Sequence, residues 1–256
     1  MTQYEFARER LDLSDYSSGR VFYGLPGYPA LPVRLTSELF QRCLAIRRKQ
    51  GLYDPCVLFD PCCGAAYHLS TLAYFHWNSI SEIVASDIQA QAITMAQLNL
   101  SLLTLPGLDR RIGELKRLLL EYGKDSHRSA LESARRLRQL LLRHLDSHPI
   151  ATTAFQADAT DTGILRPKLT GKSIDIVFAD VPYGKHSQWL ATHPPSSTGP
   201  LSSMLGSLQT LVSRTSLMVV VADKEQRLSH PDFQRLDQLR IGKRRAVILQ
   251  LSGAAV

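Results

Sequence analysis

The chain has 256 residues, 44% of them hydrophobic, with a net charge of +7 and a pI near 9.4. This suits one α/β domain over 1–256 and a polyanionic partner, and no apolar run is long enough to span a membrane. Four cysteines without disulfide or zinc spacing (Cys43, Cys56, Cys62 and Cys63) exclude a disulfide scaffold and a zinc site, and Met1–Arg10 lacks a signal-peptide core, so the expected location is the cytoplasm.

After the Gly/Pro-rich stretch Gly24–Pro29, Thr36 or Ser37 is the expected cap of a first helix burying Leu39, Phe40, Cys43 and Leu44. Val57–Phe59 reads as a first strand and Leu69–Tyr74 as the body of a helix. The segment between them, Asp60-Pro61-Cys62-Cys63-Gly64-Ala65-Ala66, is then a strand-to-helix turn of the kind that nucleotide-like cofactors use. Glu82–Asp87 reads as a second strand ending in an acid, followed by a helix over Ala90–Leu103.

The alternation breaks between Pro106 and His148. Leu108, Ile112, Leu115, Leu119 and Tyr122 recur at helical spacing, Gly123 interrupts, and Ala130, Ala134, Leu137, Leu141 and Leu145 form a second stripe. The expectation is a helical hairpin inserted at 106–148. Its polar faces carry many more basic than acidic residues, among them Arg135, Arg136 and Arg138. Such a surface reads either as a solvated helix face or as a grip on an RNA backbone.

Alternation then resumes. Ala151–Ala157 reads as a third strand ending at Asp158, Ile174–Ala179 as a fourth ending at Asp180, and Ser216–Ala222 as a fifth, preceded by a helix over Pro200–Val212. Leu236–Ile241 and Ala246–Leu251 close the chain as a hairpin turning through Gly242-Lys243-Arg244. The expected fold is α/β and Rossmann-like, a mixed seven-stranded sheet with its site at the carboxyl ends of the strands.

Four acids stand at successive strand ends, which favours a site over four unrelated loop carboxylates. In a methyltransferase of this architecture Asp60 and Gly64 would border the methionine part of S-adenosylmethionine; Asp87 suits ribose hydroxyls, a position that by itself does not separate this cofactor from NAD, and Asp158 can accept from the adenine amino group. Asp180-Val181-Pro182-Tyr183 narrows the chemistry. Tyr183 can stack on a flipped-out base while Asp180 and the Val181 carbonyl accept from its amino group, and Pro182 stiffens the turn. The nitrogen then attacks the sulfonium methyl in line, helped by orientation rather than by a covalent intermediate. Lys185, His186 and Trp189 stand where they can touch phosphates, stack on a neighbouring nucleotide, or simply pack a loop. Gly171-Lys172-Ser173 leads into a strand and lacks the leading glycine of a phosphate loop, which excludes an NTPase.

The segments Gly27–Leu35 with Phe40-Gln41-Arg42, Asp60-Pro61-Cys62-Cys63-Gly64, Ala85-Ser86-Asp87 and Asp180–Gly184 resemble the AviRa family of avilamycin-resistance 23S rRNA methyltransferases over nearly the whole chain. The resemblance implies a class I S-adenosylmethionine-dependent enzyme that methylates a guanosine of 23S rRNA, free or in the large ribosomal subunit, near where orthosomycin antibiotics bind. It places Asp60, Cys62, Gly64 and Asp87 at the cofactor and Asp180, Pro182 and Tyr183 at the target base. A base amino group is the expected acceptor, and no protein partner is indicated. Ala65-Ala66 departs from the Ser-Gly expected in the turn, so Ala66 is expected to avoid positive φ or to shift the loop. Three other readings follow from the same residues: a tRNA or DNA amino methyltransferase, an RNA-binding protein that has lost catalysis, and an NAD-dependent reductase, which the lack of a G-x-G-x-x-G pattern disfavours.

Overall fold

The computed structural model describes residues 4–9, 11–26, 30–181, 189, 199–226 and 228–253. Seven strands form one sheet: β1 (Cys56–Asp60), β2 (Ile80–Asp87), β3 (Ala151–Gln156), β4 (Ile176–Asp180), β5 (Leu217–Asp223), β6 (Phe233–Ile241) and β7 (Arg244–Leu251). Their order is β3-β2-β1-β4-β5-β7-β6. The first five run parallel, β7 is antiparallel to β5, and β6 is antiparallel to β7. The chain therefore reverses direction across the sheet between β1 and β4, where a doubly wound sheet opens its crevice.

Residues alternate across the sheet and build two cores. Leu58, Ile83, Ala85, Ile176, Phe178, Val219 and Val221 face one side, where helices α1 (Val33–Lys49), α2 (Tyr67–His76) and α3 (Ala90–Ser101) cover them. Phe59, Val84, Val177, Ala179, Met218 and Val220 face the other, under α6 (Thr162–Leu169) and α7 (Pro200–Gln209). Burial on both faces accounts for the near-continuous apolar runs of β4 and β5.

The inserted hairpin consists of α4 (Leu105–Tyr122) and α5 (Asp125–Leu145), turning at Gly123 with φ of 62°. Thr104 caps α4 by accepting from the Gly107 amide. Gly107 permits the close join to α3, since a β-carbon there would lie 2.0 Å from the Ser101 carbonyl oxygen. The hairpin buries Leu108, Ile112, Leu115, Ala134, Leu137 and Leu141 in the first core, and His144 stacks flat on Trp77 at 4.9 Å.

Several expected boundaries move. The first helix begins at Val33, before Thr36 and Ser37, and Pro32 precedes it without a side-chain cap. Thr36 is buried inside the first turn and donates to the Pro32 carbonyl. Helix α6 was not anticipated; Asp161 caps it by accepting from Gly163 and Ile164, and Pro167 sits within it. Strand β6 starts at Phe233 rather than Leu236 because its register shifts between Arg235 and Asp237, leaving Leu236 38% exposed. No helix among the described residues is long and apolar enough to cross a membrane.

Candidate active site

Three acids share one face of the sheet at its carboxyl edge. Asp60 pairs with Ala85 and Asp180 with Val221, both positions of the first core, and Asp87 follows Ala85 by one pleat. Leu58 pairs with Ile176, so extending that register sets Asp60 level with Phe178. Asp180 then stands one pleat nearer the edge, about 6–7 Å along the strand.

The turn after β1 is built from its own polar groups. Asp60 is fully buried; its Oδ1 accepts from the Cys62 amide at 2.8 Å, and its Oδ2 lies 2.7 Å from His68 Nε2. The Cys63 amide donates to the Ser86 carbonyl and the Gly64 amide to Asp87 Oδ2 at 2.9 Å. Asn99 closes the turn from α3, donating to the carbonyls of Ala65 and Tyr23 and accepting from the Tyr23 amide.

Ala66 does adopt positive φ, contrary to expectation, at φ 51° and ψ 28°, following Gly64 at φ 52°. A left-handed alanine costs roughly 1–2 kcal/mol. What holds it is local: its amide donates to the Cys63 carbonyl at 2.8 Å, its own carbonyl accepts from the amide and the hydroxyl of Ser70, and its methyl is fully buried.

Asp87 braces as well as borders the site. Oδ2 receives Gly64 and Oδ1 receives Gln89, and burial outweighs these amides and raises its pKa. Asp158 lies just past β3, buried, with Oδ1 accepting from the amide and hydroxyl of Thr160. Cys62 is half-buried against the second core, its sulfur 3.9 Å from that of Met204. Burial and four neighbouring carboxylates push its thiol well above the ordinary range.

Asp180 is half-buried, but its Oδ1 is sealed from solvent with no hydrogen-bond partner among the described residues. Burial pushes its pKa up to about 7; His68 and Arg244 pull it down, and Asp60 pushes it further up. Arg244 reaches the site because β7 begins at the carboxyl edge, where it pairs with Asp223 on the same face. Val181 is buried and donates its amide to the Val221 carbonyl, and Trp189 is half-buried against the second core. Pro182, Tyr183, Lys185 and His186 lie outside the described residues.

The arginines picked out on the hairpin separate. Arg136 binds Asp15 through two contacts at 2.6 and 2.8 Å, and Arg138 binds Asp109 at 2.6 and 3.2 Å, so both are engaged within the protein. Arg135 is exposed. His68, Asn99 and Arg244 were not singled out from sequence, yet each contacts or electrically faces the site.

Comparison with known proteins bears on the family and the fold. The family model described as "rRNA methyltransferase AviRa" matches residues 2–244. The chain is 36% identical over 250 residues to the 23S rRNA (guanine(2535)-N(1))-methyltransferase of Streptomyces viridochromogenes, covering 98% of this chain and 96% of that one. The solved structure of the rRNA methyltransferase aviRa from the same organism superimposes with a TM-score of 0.85 at 34% identity, over 97% of this chain and 96% of that one. A putative class I S-adenosylmethionine-dependent methyltransferase from Listeria monocytogenes shares the fold, with a TM-score of 0.50 at 10% identity over 91% of this chain and 64% of that one.

Proposed function

The chain belongs to the AviRa family of rRNA methyltransferases, and from that premise we propose that it transfers a methyl group from S-adenosylmethionine to ring nitrogen N1 of a guanine in 23S rRNA. N1 rather than the exocyclic amino group follows the reaction named for the relative. The observation that carries the chemistry is Asp180, a carboxyl at the edge of β4 whose sealed Oδ1 has no hydrogen-bond partner among the described residues and whose pKa burial pushes up to about 7. Guanine N1 carries a hydrogen at neutral pH, so its lone pair is unavailable until a base removes that proton. A carboxylate poised near neutrality is suited to take it. The adjacent N2 amino group presents a second donor on the same edge, which the Val181 carbonyl is assigned to accept.

The residues present fit the cofactor. Positions 64–66 of the turn carry nothing larger than a methyl group, and α2 begins directly after it, offering a helix N-terminus to a carboxylate. Asp87 keeps a lone pair on each oxygen for ribose hydroxyls after its two amide contacts, and the Ser86 hydroxyl is buried without a partner among the described residues. In this reading Gly64 and Cys62 border the methionine part, Asp87 holds the ribose, Asp158 the adenine side, and Asp60 stiffens the turn from beneath. The cofactor supplies an electrophilic methyl group on sulfur. Pro182 and Tyr183 keep the roles of turn and stacking platform at the base.

For the RNA backbone, the reading rests on Lys116, Arg117, Lys124, Arg128, Arg135 and Arg143, which are exposed on the hairpin and form no ion pair among the described residues. The biological role attached to the modification is protection against an orthosomycin antibiotic.

The test is transfer of labelled methyl to protein-free 23S rRNA, large subunits, tRNA and duplex DNA, with Asp180→Ala beside the wild type. Label on rRNA, absent from the variant, together with a reverse-transcription stop at one guanine, is expected, because an N1 methyl blocks Watson–Crick pairing. Label on tRNA or DNA alone overturns the substrate, and label on the amino group overturns the acceptor atom.

A further inference from the structure

His68 sits in the first turn of α2, where its side chain drops onto the acidic face of the sheet. It is 6% exposed, its Nε2 lies 2.7 Å from Asp60 Oδ2, and its ring packs 5.5 Å from that of Phe178. The two atoms meet as a close ion-pair contact, and neither has a hydrogen-bond partner among the described residues. Phe178 and Asp180 project from the same face of β4, so the carboxyl of Asp180 stands one pleat beyond the ring on which His68 rests. The imidazole thus lies between a wholly buried carboxylate below and a partly buried one above.

Two carboxylates near one another in such surroundings oppose each other's ionisation, and a positive charge between them relieves both. Among the described residues, the groups that face Asp180 are His68 from α2, Asp60 from β1, the Cys62 thiol from the turn and Arg244 from β7. Those facing Asp60 include Cys62, Cys63 and Asp87. Of these, His68 alone both touches Asp60 and faces Asp180.

We propose that His68 is a positioning residue for methyl transfer: it holds Asp60 under the cofactor turn and sets positive charge beside Asp180, keeping that carboxylate ready to receive the guanine N1 proton. The inference rests on the guanine N1 reading. In that reaction the N1–H bond breaks, its proton passes to Asp180 Oδ1 and its electron pair stays on the ring. The ring pair then forms the bond to the methyl carbon as the carbon–sulfur bond breaks, its electrons going to sulfur to leave S-adenosylhomocysteine. Charge from His68 favours the ionised Asp180 that begins this sequence.

His68→Gln keeps a donor for Asp60 but cannot carry charge. With saturating cofactor and rRNA, the acid limb of its kcat profile is expected to move up by about one pH unit, giving a rate roughly tenfold lower near about pH 6.5 and close to wild type above about pH 8.5. Cofactor Kd by calorimetry is expected to stay within about twofold of wild type, as binding contacts are untouched. A uniform fall in kcat at every pH, with the limb unmoved, overturns the proposal and leaves His68 a packing residue. A variant that does not fold shifts the decision to nitrogen-15-labelled wild type, where a slowly exchanging Nε2 proton on His68 is expected and its absence overturns the contact with Asp60. Wild-type protein that methylates no rRNA defeats the guanine N1 reading itself, whereas that resonance still decides the His68–Asp60 contact.

Discussion

The Asn99 side chain donates to the Ala65 carbonyl at 2.8 Å, tying the turn after the first strand to a helix that begins more than twenty residues later. The same amide group pairs with both backbone groups of Tyr23, so one buried side chain fixes two loops. Asn99→Ala would leave buried backbone groups without partners, each costing about 1–3 kcal/mol. The expected result is a thermal midpoint lower by several degrees and a weaker cofactor Kd, read by differential scanning fluorimetry with and without S-adenosylmethionine. An unchanged midpoint would show that the two loops do not depend on it.

Ala66 is the described non-glycine residue with positive φ, and its strain is a reservoir that substitution can release. Ala66→Gly is expected to stabilise the fold by about 0.5–1 kcal/mol, the left-handed penalty being partly offset by the greater freedom of glycine in the unfolded chain. Ala66→Val, with a branched side chain in a fully buried left-handed position, is expected to destabilise by more than that gain. Urea denaturation of the pair checks both signs.

Asp180 sets activity and stability against each other. Its carboxyl, held near 7 in the fold, is below 4 when the chain is unfolded, so the unfolded state ionises first. The native state then binds more protons between those values, and its stability falls as pH rises from about 4 through about 7. Asp180→Asn is expected to be more stable than wild type at about pH 8, by roughly 2–3 kcal/mol after allowance for partial exposure, and no more stable at about pH 4. It is expected to transfer no methyl. Equal stabilisation at both pH values would mean that the carboxyl is not perturbed.

The hairpin arginines should divide by partner. Arg136→Ala and Arg138→Ala remove charges already met by Asp15 and Asp109, and are expected to change the salt dependence of rRNA binding little. Replacing Lys116, Arg117, Lys124 and Arg128 together is expected to flatten the slope of log K against log salt by as much as about 3, if each meets one phosphate. Filter binding at four salt concentrations suffices, and an unaltered slope would return the hairpin to a solvated face.

Much of this was legible because strand ends announce themselves. Asp60, Asp87 and Asp180 each close a largely apolar strand, Asp158 follows a strand marked by β-branched and aromatic residues, and the two stripes around Gly123 could only be helices. His68 was not legible, since it lies inside an apolar helical run and only the fold of the turn carries it back to Asp60. Asn99 and Arg244 arrive from distant elements, and nothing local marks them. The pairing of Arg136 with Asp15 spans 121 residues, which is why a charge count over the hairpin overstated its free cations. Helix α6 was hidden by Pro167, whose usual meaning as a helix breaker is overridden here by the Asp161 cap and the buried Leu165 and Leu169.

The reversed strand β7 has a consequence for the order in which the protein is made. Asp180 is synthesised some sixty residues before Arg244, and the two share a face only when the final hairpin has zipped onto β5. A nascent chain therefore carries the turn after β1, with its Asn99 clamp and its acids, well before the charge that tempers Asp180 is in place. The face that carries Asp180 is therefore complete only once β7 has paired with β5, a long-range contact that no local segment can make by itself.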